Sequence, residues 1–129
     1  MKKLGRSELD SMLTQNACEI VFLRRRPERK KRAEATVTRK MICTSSMDIL
    51  RSELGLRALN YRPEGPKQIN EVVHDIVVVW DIIMQDYRNV SMEYCFLVKK
   101  IPSAEFEEYY NKTLAPMSTK QKLQFMDSI

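Results

Sequence analysis

A chain of 129 residues with 43% hydrophobic and 30% charged residues is long enough for one self-supporting core and too short for two. Three glycines and five prolines exclude a collagen-like or low-complexity chain, and no apolar run approaches the ~20 residues needed to cross a bilayer. The net charge of +5 is unevenly spread: residues 24–40 hold nine Lys or Arg against Glu28 and Glu34, a local +7, which leaves −2 for the rest of the chain.

In chain order, residues 6–15 predict a short helix capped by Ser7, with Leu9, Met12 and Leu13 at helical spacing and Asn16 ending it. Residues 18–23 predict a strand with Cys18, Ile20 and Phe22 on one face. The basic stretch 24–32, broken by Pro27, has too little apolar content to be buried and reads as the tip of a long hairpin. Its return strand is residues 36–44, where Val37, Arg39, Met41 and Cys43 share a face. Residues 45–55 open on serines and stop at Gly55, the pattern of a short helix, and 56–70, with Pro63, Gly65 and Pro66, read as a loop.

Residues 75–82 are apolar on both faces, which predicts the central and most buried strand, with Trp80 inaccessible. Met84-Gln85-Asp86 predicts a tight turn, followed by strands at 87–91 and 95–101. Ser103 is placed to cap a helix running to about residue 114, striped by Phe106, Tyr109 and Tyr110 and ended by Pro116. Ser118-Thr119-Lys120-Gln121 is a capping-box pattern opening a last helix with Leu123, Phe125 and Met126. Neither helix is long enough to be stable alone, so both are expected to dock on the strands.

Cys18, Cys43 and Cys95 are odd in number, widely spaced and flanked by apolar residues. With no secretory signal ahead of them, buried reduced thiols in a cytoplasmic protein are expected. No Cys-x-x-Cys or His/Cys pairing offers a metal site, and His74, the only histidine, has no nucleophile motif around it. Asp81, Asp86 and Glu93 surround a turn and read as turn caps rather than as an acid–base or metal set. No set of nucleophile, base and oxyanion donor can be assembled, so the expectation is a protein that is not an enzyme and uses neither cofactor nor metal.

The sharpest candidate site is the basic stretch itself: Arg24, Arg25, Arg26, Arg29, Lys30, Lys31 and Arg32. Clustered positive charge concentrates polyanions, so these residues are suited to grip phosphates or an acidic protein face. Arg88 adds a further guanidinium, and Tyr87 beside it is a candidate for base stacking, whereas Trp80 is expected in the core. Phe106, Tyr109, Tyr110 and Phe125 either cover the sheet or form a protein-docking groove.

Val78-Val79-Trp80-Asp81-Ile82 followed by Tyr87-Arg88-Asn89-Val90-Ser91-Met92-Glu93, with Arg39-x-Met41-x-Cys43-Thr44 upstream, resembles the Sm-like SH3-barrel proteins of tailed phages, a small family distantly related to WYL domains. In that family a strand ending Val-Trp-Asp joins one opening Trp-Arg-Ser-Phe-Arg; Tyr87, Val90 and Ser91 stand here where the pattern has Trp, Phe and its second Arg. The section from Ile101-Pro102 through Pro116-Met117-Ser118 to Phe125-Met126-Asp127-Ser128 is similar to an extension in T-even-type members.

The resemblance implies a single α+β domain over 1–129, a small SH3/Sm-like β-barrel at 17–101 with a short N-terminal helix and a C-terminal helical extension at 102–129. It also implies a phage protein acting in the host cytoplasm. The expected function is non-catalytic binding to nucleic acid, RNA or DNA, or to a host nucleic-acid machine, through the basic hairpin loop. The alternative is a protein–protein inhibitor of a host enzyme or defence factor, using the C-terminal helical face. No membrane partner is expected, and an exposed strand edge would permit a homo-oligomer.

Overall fold

The computed structural model describes residues 2–25, 36–52 and 75–127. Its strands are β1 (Lys2–Lys3), β2 (Asn16–Arg25), β3 (Thr36–Thr44), β4 (Ile76–Asp81), β5 (Asp86–Ser91) and β6 (Cys95–Pro102). Helix α1 (Arg6–Leu13) precedes β2, and α2 (Met47–Leu50) follows β3. After β6 come α3 (Ser103–Tyr109), which runs on through a π-helical turn at Tyr110–Leu114, and α4 (Thr119–Asp127).

The strands form one antiparallel sheet in the order β1-β6-β2-β3-β4-β5. Among the described residues it is open, because β1 and β5 at its two ends do not pair with each other. The fold is α+β, as expected from sequence, with an open sheet rather than a closed barrel among the described residues. Two weak joints account for this: β1 is only two residues long, and β3 meets β4 only at Cys43↔Asp81 and Thr44↔Trp80.

The central strand is β2, paired with β3 on one side and β6 on the other, and Ala17 to Val21 are all buried along it. This corrects the prediction that residues 75–82 would be central and most buried. Beyond its two-residue joint with β3, β4 pairs among the described residues with β5 alone, and Val78 is 40% exposed. Trp80 is inaccessible, as its apolar surroundings predict.

Strict alternation along β2 and β3 divides the core between the two faces of the sheet. On one face Cys18, Ile20, Met41 and Cys43 pack with Leu4, Leu9 and Leu13 and with Val77, Val79 and Val90 of the β4–β5 hairpin. Leu9 and Leu13 are fully buried, worth about 2 kcal/mol each in apolar transfer. On the other face Ala17, Ile42, Trp80 and Ile101 pack with Ile49, Leu50, Phe106 and Leu114.

The helix ends follow local chemistry, with two departures from the sequence reading. Gly5, not Ser7, is the N-cap of α1, and Asn16 closes the helix by donating from Nδ2 to the Met12 carbonyl, 2.8 Å. Pro102 holds the N-cap place of α3, and the Ser103 hydroxyl instead donates to the Gln15 carbonyl at 2.8 Å and meets the Ser46 hydroxyl at 2.7 Å. That contact ties the entry of α3 to the strand and helix beneath it. The capping box before α4 forms as read: Ser118 N–H donates to Gln121 Oε1 at 2.8 Å, and Gln121 N–H to Ser118 Oγ at 3.2 Å.

Candidate nucleic-acid interface

The β2–β3 ladder stays in register to its last rungs, Arg24↔Val37 and Arg25↔Thr36. Arg24 and Arg25 therefore close the paired part of the hairpin, and residues 26–35 join the two strands beyond them. Arg26, Arg29, Lys30, Lys31 and Arg32 lie outside the described residues, as do the predicted loop at 56–70 and His74.

Two of the nine bases of residues 24–40 are engaged in the fold. Arg39 Nε lies 3.1 Å from Asp127 Oδ1 at the end of α4. Lys40 Nζ lies 3.3 Å from the buried Glu19 carboxylate and 5.0 Å from the centre of the Phe125 ring. Both contacts fall where β3 has no β4 partner, so α4 lies against a stretch of strand edge that would otherwise be bare among the described residues. The sequence places these two bases on the return strand and counts them in the charge of residues 24–40; their packing role depends on α4 and had no local signal.

Arg88 and Tyr87 belong to a different place. Arg88 lies 3.9 Å from Asp81 Oδ2 and 4.0 Å from Asp86 Oδ2, so two carboxylates already face its guanidinium. Asp81 pairs with Cys43, six residues along β3 from Val37, the partner of Arg24. At ~3.4 Å per residue that is roughly 20 Å. Among the described residues, Arg88 thus lies well away from the Arg24↔Val37 rung. Tyr87 is half-buried with its ring edge-on to Trp80, centroids 4.9 Å apart, which uses part of its surface in packing.

Asp81 is a turn cap. Its Oδ1 accepts the Ile83 and Met84 amides, both at 3.0 Å, which holds residues 82–85 in a turn where Gln85 has φ 55°. Burial raises its carboxyl above the ordinary carboxylate range, opposed by the Met84 amide, the Arg88 charge and the Ile83 amide. Among the described residues no group of His, Cys, Asp and Glu is arranged to hold a metal ion.

The three thiols are free and buried together in the α1-side core. Burial pushes Cys18 up to about 11 and Cys95 up to about 12, and Cys43 well above its ordinary value. Thiolates, the reactive form, are therefore suppressed. The C-terminal aromatics are also largely spent on packing: Phe106 is fully buried, and Tyr109 and Tyr110 lie against it at 6.0 and 6.2 Å. Burial and the Glu19 charge push Tyr109 up to about 12.

Sequence reasoning missed a row of residues on the α3–α4 side of the sheet. Lys3 pairs with Phe96, Phe96 with Val21, and Val21 with Lys40, so one rung runs across β1, β6, β2 and β3. Tyr94 stands edge-on to Phe96 at 4.8 Å. The local signal was the Tyr94-x-Phe96-x-x-Lys99 spacing, but only strand order brings Lys3 and Lys40 to its flanks. Compared with family models, curated proteins and solved structures, the chain matches none.

Proposed function

We propose that this is a non-catalytic binding protein of a tailed phage, acting in the host cytoplasm on nucleic acid or on a host nucleic-acid machine, with the basic hairpin as its phosphate contact. One observation carries this reading. The bases of residues 24–32 number seven against the single acid Glu28, and they follow directly from the last paired rungs of the central hairpin. Arg39 and Lys40 are answered by Asp127 and Glu19, whereas charge in the hairpin exceeds what its own acids can balance. An SH3/Sm-like ancestry for the open sheet belongs to the same proposal; its support is that β5 curls back against β2 although β3 and β4 lie between them in strand order.

The test is charge reversal at Arg25, Arg29, Lys30 and Arg32, each to Glu, in one variant. Thermal stability should match wild type. Binding to labelled DNA and RNA oligonucleotides, followed by anisotropy across a salt series, should be lost. Wild-type affinity should fall steeply with salt, each phosphate contact adding about 1 to the log–log slope. Absence of wild-type binding at low salt, or undiminished binding by the variant, refutes the proposal. A partner from host lysate whose binding ignores salt would instead support the inhibitor reading, with its site on the C-terminal helical face.

A further inference from the structure

Resting on the nucleic-acid reading above, we propose that Phe96 and Tyr94, with the exposed Lys3 and Lys99 on the same face, are a stacking surface for unpaired bases, so that the preferred ligand is a single strand. Paired residues share a face of the sheet. Cys18, Ile20 and Phe22 turn toward the α1-side core, so Val21, Phe96, Lys3 and Lys40 stand on the opposite face. Toward the hairpin the same face continues to Leu23↔Thr38.

Phe96 and Tyr94 are both half-buried, and among the described residues neither ring packs into either core cluster. They are partnered by each other, at an interplanar angle of 70°. An aromatic pair that the core does not use, flanked by bases, fits a ligand with flat faces and negative charge. Lys3, exposed, pairs with Phe96 one strand spacing away, whereas Lys40 at the far end of the rung is already engaged by Glu19 and Phe125. Lys99, exposed on the next rung over Glu19, adds a second ammonium 5.1 Å from the Tyr109 ring. Of the acids there, Glu19 is buried and answered by Lys40, while Glu93 beside Tyr94 is exposed. A duplex hides its base faces, whereas a single strand offers them, and stacking is tolerant of sequence.

Phe96→Leu and Tyr94→Leu remove the π faces while keeping apolar bulk. Each variant should bind a labelled oligothymidylate and an oligouridylate roughly 10-fold or more weaker than wild type, with little change for a DNA duplex of equal length. Wild-type protein irradiated with a bromouracil-substituted oligonucleotide should be crosslinked within the peptide holding Tyr94 and Phe96. The crosslink needs no variant, so it decides the matter even if Phe96→Leu misfolds. Hairpin-dependent binding with unchanged affinity in both variants and crosslinks elsewhere overturns this inference and leaves the proposed function standing. Equal affinity for duplex and single strand overturns it too. No wild-type binding to any of the three probes overturns both.

Discussion

Replacing Asp81 separates two effects that the folded chain combines. Its Oδ1 holds the amides of Ile83 and Met84, and its charge is buried beside Arg88. Asp81→Ala removes the acceptor and leaves two half-buried N–H groups to incomplete hydration. At about 1 kcal/mol per net hydrogen bond the loss is about 2 kcal/mol, or a drop of roughly 8 °C in Tm for a chain of this size. Asp81→Asn keeps the acceptor and removes the charge, so its stability should lie within about 1 kcal/mol of wild type. The pH dependence has a definite sign. Burial raises the Asp81 carboxyl in the fold, so its protonated form is favoured there relative to the unfolded chain. That stabilisation is complete below the unfolded value of about 4 and fades as pH rises through the higher folded value. Wild type should therefore lose stability relative to Asp81→Asn on going from pH 4 to pH 7. Urea titrations of the three proteins at several pH values measure this. Equal stability of Asp81→Ala and wild type, equal damage by both variants, or a pH trend of the opposite sign would refute the reasoning.

Other consequences are simpler to check. Native protein should not react with a chromogenic disulfide reagent near pH 8, and all three thiols should react in guanidinium, because burial raises Cys18, Cys43 and Cys95 together. Phe106→Ala, at a fully buried position, should cost about 3–5 kcal/mol in chemical denaturation. Asp127→Ala, whose partner contact is 60% exposed on the carboxylate side, should cost less than about 1 kcal/mol. Ser118→Ala should cost about 1 kcal/mol and show as earlier loss of helical circular dichroism, since it removes half of the capping box.

The parts of the fold that were legible are those encoded locally. Period-2 alternation located β2 and β3, and in both strands it assigned the core-facing residues: Cys18, Ile20 and Phe22 in one, Met41 and Cys43 in the other. The Ser118–Gln121 box marked the start of α4 at its residue, because both hydrogen bonds lie within one turn. What failed was neighbourhood. The two-sided apolar run at 76–82 suggested a central strand, but centrality depends on partners, and β6 rather than β4 lies beside β2 along most of its length. The candidate site divides in the same way. Charge density alone singled out the hairpin and Arg88, but it carries no information on partners: Asp81 and Asp86 face the Arg88 guanidinium, at the end of β3 away from Val37. Phe96 went unnoticed because its flanking lysines come from strands far apart in sequence.

The position of β6 has a consequence for the order of folding. The β2–β3 and β4–β5 pairs join neighbouring segments, whereas the other long edge of β2 is filled by Cys95–Pro102, most of the chain later. Closing so long a loop costs entropy before any contact offsets it, which raises contact order and slows the final step. During synthesis β2 must wait, half-paired, until Cys95–Pro102 has left the ribosome. Over that interval the edge of β2 is open to other chains, and repulsion between copies of the basic stretch at residues 24–32 opposes their mispairing.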